Sequence, residues 1–287
     1  MQKSTLKRQV QNYLGILKNS NTQATYKNAF RVIVLKRILK PFMTIEDFGQ
    51  IDVNVSLDKI KKLDNYSEAS KQLYAAAFVS FTKYLNRASR GLTKIAIPDS
   101  HGISKTFYKL RDKIKTQAIT HEEFEIFYEK LLNINKQHAL IAKIIYIGVK
   151  RVSEVLNLRI EDIDGSEITF RQSKTRGVDM KTVITYNQDI LMSLSKFIDN
   201  RKKGFVFLEK KEKIKRYRLN YTFARASKNC HFRVTPHVLR ATAITEYKKR
   251  GHSAEDISVL SGTTEDTVKK YDKRSLADNI SKSDPII

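Results

Sequence analysis

The chain has 287 residues, 41% of them hydrophobic, with only 4 Pro and 10 Gly. That is enough apolar sequence for a real core, excludes global disorder, and favours long regular elements in one large or two ordinary domains. Its 54 Lys+Arg against 30 Asp+Glu give a formal net charge of +24, which points to a polyanionic partner, nucleic acid before a membrane surface, because each neutralised phosphate releases counterions.

A single cysteine, Cys230, rules out an internal disulfide and a Cys-rich metal site, and reads as a small buried hydrophobe. "MQKSTLKRQVQNYLGILK" has no continuous apolar stretch of the kind a signal peptide carries. No window approaches eighteen uninterrupted apolar residues, so no membrane span is expected.

Residues 1–96 read as a helical domain. "NTQATYKNAFRVIVLKRIL" places Tyr26, Phe30 and Ile33 on one stripe. "SEASKQLYAAAFVSFTKYLNRASRG" aligns Leu73, Ala77, Phe81, Tyr84 and Leu85, with Gly91 as a C-terminal stop. Its other face carries Lys71, Lys83, Arg87 and Arg90, either a phosphate-binding face or a solvated one. Residues 97–117 read as a basic linker. There "KTFYKLRDKIKT" gathers Lys105, Lys109, Arg111, Lys113 and Lys115, a connector able to follow a DNA backbone or simply an exposed charged helix.

Residues 118–287 read as the second domain. "THEEF" is a capping box, with Thr120 as N-cap and Glu123 three residues on, ahead of a stripe of Phe124, Phe127, Tyr128 and Leu131. "HALIAKIIYIGVKRVSEVLNLRIEDID" reads as an apolar helical run that turns polar near Arg151. The period then changes: "EITFRQS" and "KTVITY" alternate around "KTRGVDM", predicting a β-hairpin. Helices resume at "DILMSLSKFIDN" and around "RLNYTFARAS". The fold class is therefore mainly α with a small β-sheet.

The sharpest stretch is "VTPHVLRATAITEYKKRG". Thr235 caps, Pro236 suits the first turn and Gly251 ends the helix. His237 and Arg240, three apart, share one face of a turn with free amides, an arrangement suited to a phosphodiester or merely to a capping pair. Arg151 has Glu154 one turn on to brace its guanidinium, unless the two form only a surface ion pair. Lys174 stands at the hairpin tip, and Tyr271 ends a short polar helix. Two arginines, a lysine, a histidine and a tyrosine meet the needs of phosphoryl transfer. Guanidiniums hold non-bridging oxygens, a tyrosine hydroxyl attacks, and a lysine protonates the leaving 5′ oxygen. This chemistry calls for no metal and no cofactor.

The order Arg151, Lys174, His237-x-x-Arg240, Tyr271 resembles the tyrosine recombinase (phage integrase) superfamily over residues 118–275. "SEASKQ", "SFTKYLNR", "KLRDKIKT", "KRVSEVLNL", "VTPHVLRATAITEYKK" and "YDKRSLADNISK" are similar to the integrase-like proteins of chlamydial virulence plasmids. The resemblance implies a two-lobed protein with a helical core-binding domain and a catalytic domain that clamp double-stranded DNA. It implies a homotetramer on DNA, or a hetero-assembly with a related recombinase, in the cytoplasm of a plasmid-bearing bacterium and not at a membrane. It also implies the roles: Tyr271 as nucleophile, Arg151 and Arg240 on the phosphate, Lys174 as general acid, His237 in proton transfer or phosphate binding. One position departs. Nine residues before Tyr271, where the family keeps a second histidine, stands Gly262; a one-residue shift would put Thr263 there instead. The departure keeps a second reading open, a DNA-binding accessory protein on the same fold with little or no cleavage. A third is an enzyme like the type IB topoisomerases.

Overall fold

A computed structural model of the chain describes residues 4–89, 95, 118–172, 180–228 and 230–272. Packing divides the chain into two compact units, Met1–Asp112 and Lys113–Ile287. Arg90, Lys105, Lys109, Arg111, Lys113, Lys115 and Lys174 lie outside the described residues.

The first unit contains α1 (Leu6–Gly15), α2 (Ser20–Leu35), α3 (Gln50–Lys61) and α4 (Glu68–Ala88). Side-chain oxygens of Thr5, Asn19 and Ser67 cap α1, α2 and α4, satisfying amides the first turn leaves free. Tyr13, Phe30, Ile33, Phe78, Phe81 and Leu85 form its core, and the Tyr13 hydroxyl donates to Ser80 Oγ at 2.6 Å. Two details differ from the sequence pattern. Leu73 is 36% exposed, and α4 ends at Ala88 with Ser89 as its cap, before Gly91 is reached. On the basic face Lys83 and Arg87 are exposed, whereas Lys71 is half-buried and paired with Glu68 at 2.9 Å.

The second unit opens with the predicted capping box: Thr120 Oγ1 accepts from the Glu123 amide and the Glu123 carboxylate from the Thr120 amide. It begins α5 (His121–Ile134), which packs on α6 (Lys136–Gly148). The apolar run is not one helix. It breaks at Val149, whose φ is +53°, a conformation costly for a β-branched residue, and resumes only as α7 (Val152–Leu156). A turn of 3₁₀ helix (Ile160–Asp162) leads into an antiparallel sheet of β1 (Ile163–Asp164), β2 (Glu167–Arg171) and β3 (Lys181–Thr185). The predicted hairpin strands pair with Thr169 opposite Val183, so Ile168, Phe170 and Ile184 face the core.

Next come α8 (Gln188–Ile198), an unpredicted two-residue pair β4 (Leu208–Glu209) and β5 (Glu212–Lys213), α9 (Arg216–Lys228) and α10 (Pro236–Lys249). The chain then forms α11 (Ala254–Ser261) and α12 (Glu265–Tyr271). Helices α5, α8 and α10 pack against α6, and α12 packs against α10 and α11. Cys230 is half-buried against this core. The protein is thus mainly helical with small antiparallel sheets. Among the described residues no helix is long and apolar enough to cross a membrane.

Candidate active site

Thr235 Oγ1 accepts from the Val238 amide at 3.2 Å and Pro236 occupies the first position of α10, so the helix start is fixed by local chemistry. His237 and Arg240 leave that start on one face. Together with Arg151, Tyr271, Arg216, Val152, Ser153 and Pro236 they line a cleft of about 190 Å³.

Arg151 is the N-terminal cap of α7. Its backbone amide donates to Glu154 Oε2 at 2.8 Å and its Nη1 to Glu154 Oε1 at 2.7 Å. The bracing expected from their spacing is therefore present, with a carboxylate only 2% exposed and not a surface pair. Arg240 is 4% exposed. Its Nη2 donates to the Ser261 carbonyl at 3.2 Å. Its Nη1 lies 3.9 Å from Glu154 Oε2 and is buried without a hydrogen-bond acceptor among the described residues. Burial, and after it the neighbouring Arg151, push the Arg240 guanidinium down to about 10.

Tyr271 is the last residue of α12. Its hydroxyl lies 3.3 Å from His237 Nε2 and 3.4 Å from Nδ1, the two rings meeting edge-on with centroids 5.2 Å apart. The Tyr271 carbonyl accepts from Thr245 Oγ1 on α10 at 3.4 Å. The ring is half-buried against the core, so it is neither a free surface group nor sealed in. Burial first, and then Arg240 and Arg216, hold His237 below the ordinary histidine range, which favours the neutral ring, an acceptor for a hydroxyl proton.

Four of the predicted residues, Arg151, His237, Arg240 and Tyr271, thus meet in one cleft. Gly262 is beside them in a different sense: at φ +61° it is the left-handed cap of α11, and its carbonyl accepts from Arg151 Nη1 at 3.3 Å. Two further cations belong beside this set. Arg216, first residue of α9, was hidden in the charge run "KKEKIKRYR". Lys150, adjacent to Arg151, is fully buried behind the cleft.

The phage integrase family profile matches residues 117–275. Over 279 residues the chain is 37% identical to the virulence plasmid integrase pGP8-D of Chlamydia muridarum, covering 94% of this chain and 84% of that one. The chain belongs to the phage integrase family. Its fold is that of the tyrosine recombinases. The structure of a lambda integrase(75-356) dimer bound to a COC′ core site aligns with a TM-score of 0.72 at 19% identity, covering 95% of this chain and 97% of that one. A lambda integrase tetramer bound to a Holliday junction aligns with a TM-score of 0.70 at 18% identity, covering 96% and 80%.

Proposed function

We propose that this integrase-family chain is a site-specific recombinase that cuts and rejoins double-stranded DNA through a 3′-phosphotyrosine intermediate. The observation that carries the reading is the Tyr271 hydroxyl within hydrogen-bonding reach of His237, in a cleft that also holds Arg151 and Arg240.

In this reading Arg151 and Arg240 bind the non-bridging oxygens of one backbone phosphate. The unsatisfied Nη1 of Arg240 is a donor suited to such an oxygen. The Tyr271 oxygen attacks phosphorus and its proton passes to His237. The new Tyr–O–P bond replaces the P–O5′ bond, and Lys174 protonates the departing O5′. Attack by the free 5′ hydroxyl of another strand reverses the step and releases Tyr271. No metal or nucleotide takes part. Gly262 serves as a helix cap, the part expected of a glycine ahead of the second histidine. Thr263 is then the residue standing where that histidine would be.

The basic residues Lys83 and Arg87, and those of the 97–117 stretch, bind DNA phosphates in the same reading, with residues 1–96 as the core-binding domain and 118–287 as the catalytic domain. The active species is a tetramer on DNA, of this chain alone or with a related recombinase, on a plasmid in a bacterial cytoplasm. The lambda integrase dimer and tetramer on DNA support that assembly, and the plasmid integrase of C. muridarum supports the setting.

The test is a suicide DNA substrate carrying a recombination site from the parent replicon. Wild type should give an SDS-resistant covalent adduct in EDTA and without ATP, and Tyr271→Phe should bind the same DNA and give none. Tight, site-specific binding with no adduct would overturn recombination and favour the accessory-protein reading, which the missing histidine supports.

A further inference from the structure

The last three carbonyls at the C-terminus of α11 each accept from a different cation. Leu260 O takes Lys150 Nζ at 2.6 Å, Ser261 O takes Arg240 Nη2 at 3.2 Å, and Gly262 O takes Arg151 Nη1 at 3.3 Å. Such carbonyls lack partners within their own helix and form its negative end, so cations are the favoured partners. They aim the two guanidiniums that line the cleft, while Lys150 does not line it at all.

We propose that Lys150 is a positioning residue for Arg151 and Arg240, tying the carbonyl turn of α11 to the sheet so that both guanidiniums keep one geometry. Its Nζ also donates to Thr182 Oγ1 on β3 and sits 5.2 Å from the ring centre of Phe170 on β2. The amine therefore bridges strand and helix end. Its backbone, one residue before Arg151, sits just past the strained turn at Val149, so the same side chain anchors the start of the Arg151 segment.

A fully buried lysine is an expensive choice where an aliphatic residue could fill the space. Burial, against the pull of Glu154 and with repulsion from Arg240 and Arg151, brings its amine down to about 7. Charged or neutral, the amine remains a hydrogen-bond donor. An aliphatic side chain would leave both Leu260 O and Thr182 Oγ1 without it.

The inference rests on the recombinase reading for its consequence in catalysis, but its structural core is testable without activity. The experiment compares full-length wild type with Lys150→Met, which keeps the stem and removes the donor. Three quantities are read: affinity for the DNA site, rate of covalent adduct formation on the suicide substrate, and the guanidinium Nε–H resonances of Arg151 and Arg240 by NMR. Expected are affinity within about threefold, an adduct rate lower by roughly 10- to 100-fold, as for a misplacement near 1 Å, and displaced or broadened signals from both arginines. The resonance of Arg201, held by four separate carbonyl bonds of its own, should stay put. Lys150→Gln, which restores a donor one bond shorter, should recover part of the rate. If Lys150→Met does not fold, Thr182→Val should move the same two arginine signals in the same sense. Unchanged arginine signals with a wild-type rate would overturn the proposal. If wild type forms no adduct, the recombinase reading fails and the arginine signals alone decide the positioning role.

Discussion

Glu154 holds Arg151 twice, by side chain at 2.7 Å and by backbone amide at 2.8 Å. The same carboxylate lies 3.9 Å from Nη1 of Arg240. A single buried anion thus offsets both guanidiniums of the cleft. Removing its charge leaves two neighbouring cations without compensation, and breaking a buried pair from one side costs about 3–5 kcal/mol. Glu154→Gln should lower the urea midpoint sharply, while Glu161→Gln, an exposed carboxylate paired with Arg159 at 3.3 Å, should change stability by well under about 1 kcal/mol. Equal effects of the two substitutions would contradict the buried role of Glu154.

Arg216 lines the cleft with His237 and is one of the charges that keep its ring neutral, after burial and Arg240. Arg216→Ala removes a repelling cation, so the His237 pKa should rise toward the ordinary histidine value without fully reaching it, because burial is the larger cause. Titration of the imidazole carbon-bound protons by NMR measures the shift directly. A fall in the His237 pKa, or none, would show that Arg216 does not act on this ring.

The parts of the site written in local chemistry were readable from the sequence. Thr235, Pro236, His237 and Arg240 lie within one helical start, Glu154 is three residues from Arg151, and Tyr271 ends a helix of its own. The family pattern tied those separate pieces into one cleft. The places of Lys150 and Arg216 in the fold were not readable, for different reasons. The helical periodicity runs unbroken through Val149, since nothing about a valine announces a left-handed turn, so the sequence marks Lys150 as a cation beside Arg151 without showing that it is buried. Arg216 reaches the cleft only because tertiary packing seats α9 against α5 and α7. Likewise Lys71 is half-buried and paired with Glu68, which periodicity alone does not distinguish from a free basic face. Strands of two residues, such as β4 and β5, carry too little pattern to register.

Gly262 looks in the sequence like a lost histidine, and restoring the imidazole there looks like a repair. Its conformation says otherwise. At φ +61° a side chain costs roughly 1–2 kcal/mol, and a Cβ would stand 2.3 Å from Gln172 Nε2. Gly262→His should therefore destabilise the protein and slow adduct formation, by disturbing the carbonyl that holds Arg151. Gly262→Ala combined with Gln172→Ala should relieve the crowding and leave the backbone cost. Thr263→His, which adds an imidazole one residue later and leaves the turn alone, should raise the adduct rate. A faster Gly262→His enzyme and a slower Thr263→His enzyme would reverse this assignment.

Lys150 should also make stability depend on pH. In the folded protein burial brings its amine down to about 7, against 10.5 for a free lysine. Between these two values the folded state carries a neutral amine and the unfolded state an ammonium, so the unfolded state binds more protons and stability rises with pH. The penalty of burying the charge is present in full below about pH 7 and disappears above about pH 10.5. Glu154, Arg240 and Arg151 are the charges that act on this amine, and Lys150→Met leaves all three in place. The difference in unfolding free energy between wild type and Lys150→Met should therefore grow in favour of wild type as pH is raised from 7 to 10, with a slope of at most ~1.4 kcal/mol per pH unit. Urea unfolding at four or five pH values measures it. A difference that stays flat across this range would mean that Lys150 remains an ammonium in the folded protein, paired through Glu154 more strongly than its burial opposes.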